Sequence, residues 1–189
     1  MMRFIRHGQS AYNVHFDRDG SDPGIADAPL TPHGFHQAQK AAEKLSGQGI
    51  AMIVSSPYTR ALQTASTIAE VLGIGIIAEP LARERRLVSC DIGTPTRALR
   101  AAWPQVDFSA VQHEHWWRFP VPADENALPE RGPEEEQHEV HRRCDAFMAK
   151  WRPQAATRPL LVVSHWYFIY AATGKDVANA EIVAHAARG

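Results

Sequence analysis

Met1-Met2-Arg3-Phe4-Ile5 opens the chain and runs into Arg6-His7-Gly8, and Leu160-Leu161-Val162-Val163-Ser164-His165 repeats the pattern in the last third. Each is an apolar run of strand length that ends on a histidine. Open α/β sheets bind their ligands outside the carboxyl ends of the strands, so a His there sits where such a sheet keeps its chemistry. One such strand would carry little weight. Two of them, with Arg6 beside the first His, describe an anion site that holds a nucleophile.

The segments between them alternate in the same sense. Thr31-Pro32 pairs an N-cap with a proline at the first helical position. The helix it opens runs to about Ser46, with Ala38, Ala41, Ala42 and Leu45 on one face. Ala51-Met52-Ile53-Val54 reads as a short buried strand. Ser56-Pro57 then begins a helix to about Leu72, with Ala61, Leu62, Ala65, Ile68, Ala69 and Leu72 at helical spacing. Ile74 to Ala78 is a further strand, Glu134 to Trp151 a third helix, and Ala180 to Ala184 a candidate last strand. Residues 8–30 read as a long polar loop. Residues 91–133 carry six prolines and the pair Trp116-Trp117. They leave room for a short helix at 96–103, and the remainder reads as a lid-like excursion over the sheet's carboxyl edge. The whole predicts one domain over residues 1–189: a three-layer α/β/α sandwich with a mainly parallel central sheet, its active site at the carboxyl ends of the strands.

Composition narrows the partners. At 189 residues the chain is long enough for one substantial core, and a net charge of −1 gives no long-range pull towards nucleic acid or an anionic membrane. Of 20 basic residues only four are Lys, so Arg dominates. Its planar fork suits an oxyanion ligand, although a GC-rich genome would leave the same bias. Cys90 and Cys144 form no CxxC motif. The longest apolar stretches, such as 166–172, fall short of the roughly 20 residues that span a bilayer. Arg3 and Arg6 interrupt any signal-peptide core, so a cytoplasmic protein is expected.

A phosphomonoester dianion needs several donors around its oxygens and a nucleophile opposite the leaving oxygen. Arg6 and Arg60 supply permanently charged forks. Arg60 lies in Ser55-Ser56-Pro57-Tyr58-Thr59-Arg60, at a helix start that also offers backbone N–H groups. His7 can attack as the neutral imidazole, and His165 can donate to a phosphoryl oxygen. Glu84, in Leu81-Ala82-Arg83-Glu84-Arg85-Arg86, follows the third strand and is the candidate general acid. The arginines around it pull the other way. Nearby positive charge lowers a carboxyl pKa unless burial offsets it, or the cluster instead holds further anionic groups of the substrate.

In order and across most of the chain, these segments resemble the histidine phosphatase superfamily, also called the phosphoglycerate mutase-like family. The matching residues are Arg6-His7-Gly8-Gln9-Ser10 with Asn13, Leu30-Thr31 with Gly34 and Gln37-Ala38, and Ser55-Ser56-Pro57 with Arg60-Ala61 and Gln63-Thr64-Ala65. The Leu81 and Glu84 pair and Val163-Ser164-His165 complete the set. The resemblance implies a phosphohistidine on His7, phosphate contacts from Arg6, Asn13, Arg60 and His165, and a proton donor at Glu84. Asn13 also reads as a plain turn residue. Trp166 stands after the second His, where the family usually has Gly, so its ring either narrows the pocket or stacks on the substrate. The stretch from Cys90-Asp91 to Trp116-Trp117 is similar to a less-characterised subgroup. The extended signature of sugar-acid mutases is absent, and Val14 to Gly20 stands in its place. The expectation is a phosphatase acting on a small phosphorylated metabolite, with no nucleic acid or membrane partner. It requires no metal or cofactor, since Arg and His balance the phosphate charge. A phosphomutase and a non-catalytic phospholigand-binding module are the alternatives.

Other patterns carry less. His138 and His141 share a face of a Glu-rich helix and read as solvated surface, and His113 and His115 lack a zinc-ligand pattern. Gly8-Gln9-Ser10-Ala11-Tyr12 lacks the final glycine of a nucleophile elbow, and neither a P-loop nor a dinucleotide fingerprint is present.

Overall fold

A computed structural model describes residues 1–118 and 134–185. Among them six strands form one sheet: β1 (Met2–Arg6), β2 (Met52–Ser55), β3 (Ile76–Ala78), β4 (Val106–Asp107), β5 (Leu160–Ser164) and β6 (Ile182–Ala184). Their order is β4-β3-β2-β5-β1-β6, and all neighbours are parallel except β6, which runs antiparallel to β1. The helices are α1 (Ala11–Asp19), α2 (Pro32–Leu45), α3 (Thr59–Leu72), α4 (Thr96–Ala102), α5 (Gln137–Thr157) and α6 (Trp166–Thr173).

The strands read as unbroken apolar runs because both faces of the sheet are covered. Side chains alternate between two cores. Leu161 and Val163 join Ile5 and Ile53 beneath α2 and α3, while Leu160 and Val162 join Phe4, Met52 and Val54 beneath α5 and α6. This is the expected three-layer sandwich. Thr31 caps α2 by accepting from the Gly34 amide at 3.0 Å, with Pro32 at the first helical position as its sequence predicts.

The structure adjusts and adds to the expected elements. The polar loop expected over residues 8–30 contains α1, a short helix with no apolar stripe. It is held by the reciprocal Ser10 and Asn13 capping box and by Gly20 in the left-handed region, φ 72°. The apolar run after His165 is α6, and α5 continues past Trp151 through Pro153. The short helix at 96–102 is present, but Val106–Asp107 adds β4 to the sheet edge. Trp116 and Trp117 are 1% and 2% exposed in the core beside Tyr58, because indoles of that area are too costly to leave in water. The rest of the excursion, residues 119–133, lies outside the described residues. Among those described, no helix is long and apolar enough to cross a membrane.

The β1–β5 register places Arg6 opposite Ser164, and the His7 amide donates to the Ser164 carbonyl at 3.0 Å. Both histidines therefore leave the sheet side by side. The loop after His7 crosses the start of α2 backbone against backbone. A Cβ on Gly34 would lie 2.1 Å from the Gln9 carbonyl oxygen, and one on Gly8 would lie 2.4 Å from that of Gly34. Gly34→Ala is expected to destabilise the protein by roughly 1–3 kcal/mol through overpacking. Gly75→Ala, whose Cβ would meet nothing within 4 Å, is the matched control. Urea unfolding of the two variants checks this, and equal midpoints would mean that the crossing yields without strain.

Candidate active site

Arg6, His7, Asn13, Arg60 and Glu84 line one cavity of about 280 Å³ at the carboxyl ends of β1 and its neighbours. His165 does not line it. Its fully buried ring packs against His7 with centroids 5.1 Å apart, so the two histidines form one unit with His7 at the cavity wall.

His7 has a fixed tautomer. Its Nδ1 lies 2.7 Å from the Gly8 carbonyl oxygen, which can only accept, so Nδ1 carries the proton and Nε2 keeps its lone pair. Burial first, then the charges of Arg60 and Arg6, holds its pKa well below the usual imidazole value. His165 is depressed in the same way, by burial and then by Arg60. Its Nε2 is 2.8 Å from Ser56 Oγ, while its Nδ1 is buried without a partner. With the Ser56 hydroxyl donating, Nδ1 holds the proton and remains open to an acceptor.

Arg60 is the second residue of α3 and only 2% exposed. Its Nη1 donates to the Cys90 carbonyl at 2.8 Å, its Nη2 is 3.5 Å from Asp91 Oδ1, and its guanidinium lies 4.5 Å over the Tyr58 ring. Burial works against its charge, but Cys90 and Asp91 more than offset this and leave its pKa above the ordinary value. Arg6 donates from Nη1 to the Val177 carbonyl at 3.0 Å, and its buried Nε has no partner. Asn13 serves two ends. Its Oδ1 accepts from Ser10 and, at 3.3 Å, from Asn179, which leaves its amide nitrogen as the donor available to the cavity.

Glu84 is half-buried, and its pKa is raised to about 7, by burial first and by the charge of Asp91 second. Two backbone amides, Arg85 at 2.8 Å and Tyr167 at 3.4 Å, restrain the shift. The neighbouring arginines do not reverse it because they are committed elsewhere. Arg83 pairs with buried Glu135 at 2.9 Å, Arg86 donates to the Trp117 carbonyl, and Arg85 Nε donates to the Glu135 carbonyl at 2.7 Å. Of the three, only Arg85 also lines the cavity. His141, read as surface, is exposed on α5, and among the described residues no three His, Cys, Asp or Glu side chains converge as a metal site.

The sequence reading missed the groups that hold these side chains in place. Thr64 Oγ1 accepts from the Gly8 amide at 3.1 Å and donates to the Arg60 carbonyl at 2.8 Å, tying the His7 loop to α3. Tyr58, at the N-cap of α3, makes no side-chain cap. Asp27 does so from a distant loop. Its carboxylate accepts from the Thr59 amide at 2.8 Å and hydroxyl at 2.7 Å, and from the Thr94 hydroxyl at 2.6 Å. Asp91 also anchors the Leu87 and Val88 amides. Only Thr64, four residues after Arg60 on one helix, had a local signal.

Comparison with known proteins identifies the family. The family model of the histidine phosphatase superfamily (branch 1) matches residues 2–179, and the chain belongs to that superfamily. A probable phosphoglycerate mutase of Yersinia enterocolitica is 28% identical over 161 residues, which is 85% of this chain and 67% of that protein. Among solved structures, the mycobacterial glucosyl-3-phosphoglycerate phosphatase complexed with VO3 aligns at a TM-score of 0.64 and 23% identity, covering 96% of this chain and 88% of its own. A phosphoserine phosphatase mutant of Entamoeba histolytica aligns at 0.57 and 18%, covering 96% and 87%. At these identities the two structures establish the shared fold.

Two outcomes follow from the site. A carboxyl at about 7 keeps a proton between pH 4.5 and 7 that the unfolded chain has lost. Its contribution to stability is full below about 4.5 and is lost as pH rises through 7. Glu84→Gln, which does not titrate, should gain stability relative to wild type across that window, on the order of 2 kcal/mol, and stay level above it. Unfolding across pH 4–9 checks this, and a constant difference would mean an ordinary carboxylate. The second outcome concerns Arg60→Ala, which should weaken vanadate binding about 10–100-fold. Asp27→Ala should also weaken it, yet add nothing in the Arg60→Ala background if Asp27 acts by holding the start of α3. Vanadate titration of the two single variants and the double variant reads the coupling.

Proposed function

We propose that this member of the histidine phosphatase superfamily moves the phosphoryl group of a small, soluble phosphomonoester onto His7 Nε2 and then onto water. One observation carries the reading: a histidine with its tautomer locked and Nε2 bare shares a cavity with two guanidinium groups and a carboxyl whose pKa is about 7.

The phosphate dianion is held by Arg6, Arg60 and the Asn13 amide, while buried His165 backs His7 from behind the cavity wall. Nε2 attacks phosphorus in line with the leaving oxygen, so the N–P bond forms as the P–O bond breaks. Glu84 passes its proton to the departing oxygen, and a pKa near 7 keeps that proton available at neutral pH. As positive charge develops on the imidazole, the Gly8 carbonyl bonded to Nδ1–H supports it. In the second half, Glu84, now a carboxylate, takes a proton from water as the water oxygen attacks phosphorus. The P–N bond breaks and inorganic phosphate leaves. Low pKa values at His7 and His165 serve this sequence, because both must begin neutral.

The phosphatase names of the mycobacterial and Entamoeba proteins agree with transfer to water. The mutase name of the Yersinia relative favours a second reading, in which the phosphohistidine returns its group to a bound acceptor. Both predict a phosphoenzyme. Brief mixing with ³²P-labelled substrate and a denaturing quench under alkaline conditions should give an acid-labile label on wild type and none on His7→Ala. Label kept by His7→Ala would move the nucleophile elsewhere. At longer times, label in inorganic phosphate supports the hydrolase, and label in an organic product supports the mutase.

A further inference from the structure

Past the phosphate-holding end, the wall of the cavity turns aromatic. Trp166 and Tyr167 form the first turn of α6, and Phe16 on α1 reaches the same cavity while remaining 47% exposed. Phe16 stacks on Tyr12 with centroids 5.7 Å apart and planes 19° from parallel. Trp166 is fixed rather than loose. Its Nε1 donates to Asp176 at 2.5 Å, and its indole stacks on Tyr170 at 5.5 Å and 11°. Leu87 and Val88 extend the apolar lining.

This wall stands where the leaving group must go. Glu84, the proton donor of the proposed reaction, accepts from the Tyr167 amide, so the oxygen it protonates departs beside the first turn of α6. Of the charged lining residues, Arg60 pairs with Asp91, Glu84 accepts from the Arg85 and Tyr167 amides, and Arg6 and Arg60 face the phosphate of the proposed reaction. The remaining one, Arg85, is tethered through Nε to the Glu135 carbonyl and lies 5.0 Å over the Tyr167 ring, a placement that continues a stack. A polyhydroxylated leaving group would find only the Tyr12 and Tyr167 hydroxyls and the Arg85 fork along this wall, since the Phe16 ring and the engaged Trp166 indole return no hydrogen bond. A flat apolar group loses nothing there and gains ring contacts.

Resting on the phosphatase reading above, we infer that the substrate is a phosphomonoester whose leaving group carries an aromatic ring, seated among Phe16, Trp166 and Tyr167. Trp166 and Phe16 are then specificity-determining residues and not part of the catalytic machinery.

The test compares leaving groups of similar alkoxide character, so that ring recognition is separated from ease of departure. 2-Phenylethyl phosphate, glycerol 3-phosphate and 3-phosphoglycerate serve as the three substrates. Wild type should favour the phenylethyl ester in kcat/KM by about 10-fold or more. Trp166→Ala and Phe16→Ala should each lower that value about 10-fold while leaving glycerol 3-phosphate within about twofold. Unchanged vanadate affinity in both variants shows that they are folded. Preference for glycerol 3-phosphate or 3-phosphoglycerate, or equal losses on all three substrates, overturns the aromatic class and leaves the phosphatase reading standing. No turnover of any substrate together with no label on His7 removes the phosphatase reading itself, and this inference with it.

Discussion

A guanidinium buried away from water must face an anion, and Arg60 meets that demand with Asp91. This pair adds to burial in setting the protonation states of the site. The positive member adds to desolvation in keeping His7 and His165 neutral. The negative member adds to desolvation in raising Glu84 to about 7. His7 and Glu84 are thus pushed in opposite directions by one buried ion pair, in each case on top of burial. Such a pair is a poor source of stability, since desolvation consumes most of its attraction. Its presence is better explained by what it does to its neighbours than by what it adds to the fold.

Holding that pair in register takes most of the sheet. The parallel register of β1 and β5 sets His7 beside His165, while β2 on the other side of β5 delivers Ser56 and the start of α3. Glu84 arrives after β3 through the turn at Pro80–Ala82, and Ser164 Oγ fixes that turn by donating to the Ala82 carbonyl at 2.7 Å. Asp27 closes the arrangement from outside, joining α3 to the segment that carries Cys90 and Asp91. The functional groups sit on ends of regular elements, and long-range carboxylate contacts fix where those ends point. Rigid positioning of this kind lets a dianion be met by donors already in place.

Much of this was legible in the chain because the signals were local. Apolar runs ending in His, the Thr31-Pro32 helix start and the Arg60 position all survive as structure. What escaped has one physical character. α1 has no apolar stripe and depends on caps, and β4 is a two-residue strand made by its neighbour. The Trp116-Trp117 pair, set among prolines, gave no indication of which surface it would cover. The basic cluster around Glu84 misled for the same reason. Arg83 is answered by the Glu135 carboxylate and Arg85 by the Glu135 carbonyl, some 50 residues away in sequence, and Arg86 by the Trp117 carbonyl.

Trp166 brings these threads together. As the first residue of α6 it follows His165 directly, so the chain can change the cavity wall there without touching the paired rings of His7 and His165. The contacts of His165 are made with Ser56, Tyr58 and His7, all groups of the buried side. The indole goes the other way, to Asp176 and Tyr170, towards solvent. One peptide unit thus divides the site into a buried half, where charges and tautomers are set, and a rim that faces solvent. A bulky residue at this position reshapes the rim of the cavity and leaves its buried half as it is.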